Sequence, residues 1–296
     1  MKILVIGAGS VGLLIASYLQ QDGHEVSIVT RSKRQADTIL EKGLKVIKEG
    51  EEVVQPIRAI PASQLGSLTY DLAIITLKQT HLEEFFHNFL PVLKRSAALL
   101  FLQNGMGHME KAASLCANPL YAGVVTHGAM KTNDRVVRHT GDGEIAFGPW
   151  GHGEKLYGLT DGKSRLCFTY TPFIKERMVE KLIINFIVNP LTALYGVRNG
   201  ELLEDPFIRN VQALFNEVQS VLEVNESHYD KLVRVIKQTK ENESSMYQDI
   251  KHKRRTEIDA ITGYILKMGR KEGIRMPLTE FLHYSIKGIE RSWGDV

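Results

Sequence analysis

Cysteine is scarce. Only Cys116 and Cys167 occur in 296 residues, and their spacing matches no metal-ligand motif. That shortage excludes a disulfide scaffold and fits a reducing compartment, with a single bridge left open. Excess charge is scarce too: 37 Lys and Arg against 34 Asp and Glu leave +3, which gives no argument for a nucleic-acid partner. No apolar run is expected to reach membrane-spanning length. No signal peptide is expected, because the short apolar stretch at the start is used by a strand and a glycine turn. Repeats and low-complexity segments are absent. The remainder, 43% hydrophobic and 24% charged residues, is ordinary globular composition, and the length predicts about two domains. The expectation is a cytoplasmic protein with no metal, nucleic-acid or membrane partner.

The most informative segment is Lys2-Ile3-Leu4-Val5-Ile6-Gly7-Ala8-Gly9-Ser10-Val11-Gly12. An apolar strand runs directly into Gly-x-Gly-x-x-Gly, and an amphipathic helix follows. Gly7 permits the tight turn, Gly9 lets a pyrophosphate approach the backbone, and Gly12 lets the helix pack close to the strand. The helix N-terminus then faces the anion with its N–H groups. Residues 7–12 are therefore predicted to hold a dinucleotide.

A second strand, Val26 to Val29, ends in Thr30-Arg31-Ser32-Lys33-Arg34. NAD-selective proteins usually place a carboxylate there, on the ribose 2′-hydroxyl. Here cations and hydroxyls stand instead. They suit a 2′-phosphate, so NADP(H) with Arg31 at the phosphate is the expectation; a solvated basic turn is the alternative. Tyr70 to Lys78 and Ala97 to Leu102 read as further buried strands. Lys78 and Asn104 then sit at strand carboxyl ends, where ligands of doubly wound sheets bind. Arg135 to Phe147 reads as antiparallel strands closing the sheet edge. His127 and His139 lie nearby with no acid or second ligand at useful spacing, and they read as structural.

From Lys175 the apolar period becomes helical. The predicted fold is α/β: an N-terminal Rossmann-type doubly wound sheet over residues 1–170, then an all-helical domain over 171–296. A crevice is expected at their junction. Lys181, Asn185 and Asn189 recur at i, i+4, i+8 on one side of an otherwise apolar helix. Buried polar groups need partners. The stripe is therefore either a substrate site or a set of internally satisfied core residues. Pro190 is expected to kink that helix by removing the bond to the Phe186 carbonyl. Ser245 and Glu257 would diverge on one continuous helix, so they share a cleft only if the chain bends between them or if Ser245 lies in a loop before the helix.

Taken together, Gln103-Asn104-Gly105, Lys181-Leu182-x-x-Asn185-x-x-x-Asn189-Pro190-Leu191-Thr192-Ala193, Asn199-Gly200-Glu201-Leu202, Ser244-Ser245-Met246-x-x-Asp249 and Thr256-Glu257-Ile258-Asp259 resemble the ketopantoate reductase (2-dehydropantoate 2-reductase) family across both domains. Phe186 departs from the small residue or cysteine common there; it is expected in the core. The resemblance implies NADPH-dependent reduction of 2-dehydropantoate to (R)-pantoate, toward pantothenate and coenzyme A. It implies Lys181 as general acid, with Glu257 beside it. Asn104, Asn185, Asn189, Asn199 and Ser245 would bind substrate. Gly7, Ala8, Gly9, Ser10, Val11, Gly12, Arg31, Lys78, Asn104 and Glu257 would bind cofactor. Two other readings stay open: a related NADP-dependent reductase of another 2-oxo acid, and an NADPH-binding sensor without turnover. A monomer and a homodimer are both compatible with the sequence.

Overall fold

The computed structural model describes residues 1–66, 68–78, 82–151, 153–160 and 164–294. The chain folds as two compact units, Met1–Gln103 with His108–Arg177, and Asn104–Gly107 with Met178–Val296.

The first unit runs β1 (Lys2–Ile6), α1 (Ser10–Gln21), β2 (Glu25–Thr30), α2 (Lys33–Lys42), β3 (Leu44–Lys48), β4 (Glu51–Gln55) and β5 (Arg58–Pro61). It continues with β6 (Tyr70–Ile75), α3 (Leu82–Lys94), β7 (Ser96–Phe101), α4 (Gly107–Leu115), β8 (Leu120–Val125), β9 (Gly128–Lys131), β10 (Val136–Gly141), β11 (Ile145–Pro149), α5 (Tyr157–Thr160) and β12 (Phe168–Tyr170). Eight strands form one sheet in the order β12-β11-β8-β7-β6-β1-β2-β5. Every neighbouring pair from β5 to β8 is parallel, the doubly wound order that reverses at β1. Ile3, Leu4, Val5 and Ile6 are all buried, as a strand covered on both faces requires.

Two expectations change in this unit. The strand expected through Lys78 stops at Ile75, where its neighbour β1 also ends at Ile6 (Ile6 pairs with Ile75), so Lys78 stands exposed beyond it. The segment expected to close the sheet edge divides its work. β11 extends the large sheet antiparallel to β8 but leaves the edge itself to β12, whereas β10 joins a separate four-stranded sheet, β4-β3-β10-β9.

A third expectation is overturned in that second sheet. His127 and His139 do have neighbours able to act with them. The β9–β10 pairing, with its irregularity between His139 and Gly141, places their ring nitrogens 3.1 Å apart. Asp142 follows directly. Sequence spacing hides the meeting of the two rings because the hairpin register, not the interval along the chain, sets that distance; Asp142, three residues from His139, is within reach on sequence alone.

The second unit is helical: α6 (Ile174–Tyr195, begun in the first unit), a 3-10 turn (Asn199–Leu203), α7 (Phe207–Gln219), α8 (Glu226–Gln238), α9 (Ser245–Lys251), α10 (Ile258–Lys271) and α11 (Pro277–Arg291). Ile183, Phe186, Ile187, Val211, Val218, Ile236, Ile265 and Ile286 build its core, with Phe186 fully buried. α6 departs from one expectation by having the length and mean hydropathy (1.2) of a membrane span, but 61% of that window is buried inside protein, as in a core helix. It runs through Pro190 as one helix. The Thr192 hydroxyl donates to the Val188 and Asn189 carbonyls at 2.7 and 3.1 Å, which supplies local bonding beside the proline. The chain bends at residues 252–257, so Ser245 and Glu257 lie on separate helices. Cys116 and Cys167 are both free thiols.

Candidate functional site

The glycine turn of the first unit is shaped for an anion. Gly7 has φ +116°, a conformation that L side chains rarely adopt. A Cβ on Gly12 would stand 1.8 Å from the Gly7 carbonyl oxygen, so the helix–strand approach admits no side chain. A Cβ on Gly9 would meet nothing within 4 Å, which leaves that stretch of backbone approachable. Gly9 caps α1 without a side-chain hydrogen bond, leaving the first-turn N–H groups of Ser10, Val11 and Gly12 to face a ligand.

Three residues outside the motif brace this loop. Thr76 donates to the Gly7 carbonyl at 3.0 Å. The Gln35 amide donates to the carbonyls of Ala8 (3.1 Å) and Asp134 (2.8 Å). The Lys131 ammonium donates to Ala8 at 3.2 Å; burial pushes its pKa down and Asp134 opposes the shift. Nothing in the sequence singles out Gln35 or Lys131, because each meets Ala8 only through tertiary packing. Of the basic cluster, Arg34 is engaged by Asp134 at 2.9 Å, whereas Arg31 is exposed directly after β2. Gln103, just past β7, has both amide atoms buried without a hydrogen-bond partner. In sequence it opens the Gln103-Asn104-Gly105 motif, which assigns it no role. Its place at a strand carboxyl end, where ligands of doubly wound sheets bind, is the signal that could have singled it out. An open glycine cradle, an uncapped helix N-terminus and an orphan amide fit a dinucleotide.

The second unit holds the other group of residues. Lys181 projects from α6. Desolvation pushes its pKa down from 10.5 to about 8, and Glu257 opposes that shift coulombically. Glu257 stands at the N-cap of α10. Its neighbour Thr256 fixes it: the Thr256 N–H and hydroxyl both donate to Glu290 of α11 at 2.7 Å. The Asn104 amide donates to Glu257 Oε2 at 2.7 Å. Lys181, Glu257 and Asn104 are thereby brought together from three separate stretches of chain.

Asn189 and Ser245 form a second pair. The Asn189 amide donates to Ser245 Oγ at 3.4 Å. Ser244 caps α9 and meets Thr192 of α6 at 2.7 Å, in a fully buried contact that docks the start of α9 on α6. The Thr192 proton is committed to backbone carbonyls, so Ser244 is the donor in that contact. Asn185 is half-buried on the same helix. Asn199 is buried in the 3-10 turn, where its amide donates to Thr239 at 3.0 Å and its Oδ1 has no partner. Asn199 thus offers an acceptor, and among the described contacts no hydrogen bond joins it to the other predicted substrate residues. An ammonium near neutrality, a carboxylate, amides and a hydroxyl form a set able to hold a small oxo acid and protonate its carbonyl oxygen.

Fold and site together define a two-unit nicotinamide-nucleotide oxidoreductase. Comparison with known proteins narrows the class. The family model "Ketopantoate reductase PanE/ApbA" matches residues 3–152, and its C-terminal counterpart matches residues 174–290. The chain belongs to the ketopantoate reductase family. The 2-dehydropantoate 2-reductase of Bacillus subtilis is 38% identical over 303 aligned positions, covering 100% of both chains. The crystal structure of a probable 2-dehydropantoate 2-reductase from Bacillus subtilis superposes with a TM-score of 0.89 at 37% identity, covering 98% of this chain and 100% of that one. A ternary structure of D-mandelate dehydrogenase with NADH and anilino(oxo)acetate has a TM-score of 0.90 at 26% identity, covering 100% of both chains.

Proposed function

We propose that the protein reduces the ketone of 2-dehydropantoate to (R)-pantoate with NADPH. The observation that carries the reading is the half-buried Lys181 of α6, whose pKa desolvation lowers to about 8 against the pull of Glu257, the carboxylate that accepts from Asn104 at 2.7 Å. Family membership and full-length relatives of that name support it.

NADPH, when bound, supplies the hydride. Residues 7–12 with Gln35 and Lys131 behind them hold the pyrophosphate, Arg31 takes the 2′-phosphate, and Gln103, Lys78 and Asn104 serve the nicotinamide end. Lys181 donates a proton to the ketone oxygen as negative charge builds on it. Glu257 keeps that ammonium charged, and Asn104 holds the carboxylate in place. Ser245, Asn189 and Asn185 bind the substrate's carboxylate and hydroxyl, and the orphan Oδ1 of Asn199 accepts from a hydroxyl. A pKa of about 8 leaves Lys181 largely protonated at neutral pH and able to release its proton within the cycle.

The structural likeness to D-mandelate dehydrogenase favours one second reading, reduction of a different 2-oxo acid. Purified protein assayed for NADPH oxidation with authentic ketopantoate against a panel of 2-oxo acids separates the two. Complementation of a pantothenate auxotroph then tests the role in the cell. Preference for another acid, or failure to complement, refutes the ketopantoate assignment. Tight NADPH binding with no turnover on any acid identifies a sensor. We place the enzyme in the cytoplasm and read its working form as a monomer or a homodimer, which sedimentation distinguishes.

A further inference from the structure

We propose that His127, His139 and Asp142 form a divalent-metal site of zinc type in the first unit, made of residues that the reductase reaction does not use. His127 Nδ1 lies 3.1 Å from His139 Nε2, and His139 Nε2 lies 3.6 Å from Asp142 Oδ1. All three ligand atoms fall within 4.8 Å of one another. Tetrahedral zinc, with bonds of about 2.0–2.1 Å, holds its ligands about 3.3 Å apart. The two imidazoles are therefore nearly at coordinating separation, and a small rotation of Asp142 completes a face of the tetrahedron. Two nitrogens and one carboxylate leave the fourth position to water and suit Zn²⁺ or Co²⁺ better than the hard cations Mg²⁺ or Ca²⁺.

The surroundings of His139 match that use, whereas His127 Nε2 is buried with no hydrogen-bond partner among the described residues. The Tyr18 hydroxyl of α1 lies 3.0 Å from His139 Nδ1. With Nε2 on a metal, the proton sits on Nδ1 and donates to Tyr18, the outer contact that orients a ligating histidine. The His139 side chain is only 2% exposed, and its ring meets Tyr18 and His127 edge-on. The turn is built to be tight: a Cβ on Gly143 would stand 2.6 Å from the His127 backbone nitrogen, so only glycine lets it lie against that backbone. Asp142 is exposed and gives the ion a path in from solvent. Without metal, the two rings hydrogen-bond each other and Lys48 occupies Asp142 at 2.7 Å. Metal and the Lys48 ammonium therefore compete for one carboxylate oxygen. A bound ion would clip the β9–β10 hairpin and, through Tyr18, α1.

The test uses the full chain, stripped with a chelator and titrated separately with Zn²⁺ by calorimetry and Co²⁺ by visible absorption. Expected are one ion per chain, the intense d–d bands of tetrahedral Co²⁺, and a higher Tm with Zn²⁺. His127→Ala and Asp142→Asn should each weaken binding by more than about tenfold. Lys48→Met should tighten it. Positions 48 and 142 are solvent-facing, so those two variants keep the test decisive if a histidine variant misfolds. No stoichiometric binding overturns the proposal, as does binding that Asp142→Asn and Lys48→Met leave unchanged. Either result leaves the histidines as a hydrogen-bonded pair.

Discussion

Asn104 and Glu257, separated by 153 positions in the chain, share a 2.7 Å hydrogen bond in which the amide donates to the carboxylate. Glu257 is the charge that opposes the loss of the Lys181 proton. The bond therefore ties the turn after β7 to the electrostatics of the proposed general acid.

Loss of that acid is the direct test. Lys181→Ala should lower kcat by about 10²-fold or more, the range for removed general-acid catalysis. NADPH affinity, read by nucleotide fluorescence, should change little. A fully active variant would assign the proton to another donor.

The pH dependence has a defined sign. A general acid works only while protonated, so kcat should fall as pH rises through about 8. Glu257→Gln removes the charge that favours the ammonium and should move this alkaline limb to lower pH. A limb that stays in place in the variant would detach Glu257 from Lys181.

Lys181 should also cost stability. Its folded pKa of about 8 lies below the ordinary 10.5, so the unfolded chain binds more protons between those values. The cost, roughly 3 kcal/mol, is fully present below pH 8 and fades as pH rises toward 10.5. Lys181→Met should therefore raise Tm at pH 7, with the gap over wild type closing in alkali. Equal Tm values at neutral pH would mean that the ammonium is adequately solvated.

Two glycines should separate folding from binding. Gly12→Ala drives a methyl into the Gly7 carbonyl and should destabilise the protein by about 3 kcal/mol or more. Gly9→Ala meets open space, so Tm should hold while the KM for NADPH rises. A Gly9→Ala enzyme with unchanged KM would remove the cradle from the nucleotide site.

Arg31→Ala should cut kcat/KM for NADPH about tenfold or more while sparing NADH, the loss of a charge-assisted phosphate contact. Equal use of both nucleotides by the wild type would refute 2′-phosphate recognition.

Features governed by local rules are legible in the chain itself. The strand–glycine–helix order, the loss of period-2 alternation after Lys175 and the polar stripe on α6 all follow from backbone sterics and helical repeat, which act within a few residues. Meetings across distance emerge only once the chain has folded. Gln35 and Lys131 reach Ala8, Glu290 anchors Thr256 beside Glu257, and a hairpin register brings His127 to His139 and its neighbour Asp142. Folding also leaves Lys78 standing beyond β6 and strips Lys181 of its full hydration. The physical reason is the same throughout: desolvation and hydrogen bonding depend on which surfaces pack together, and packing is a property of the whole chain.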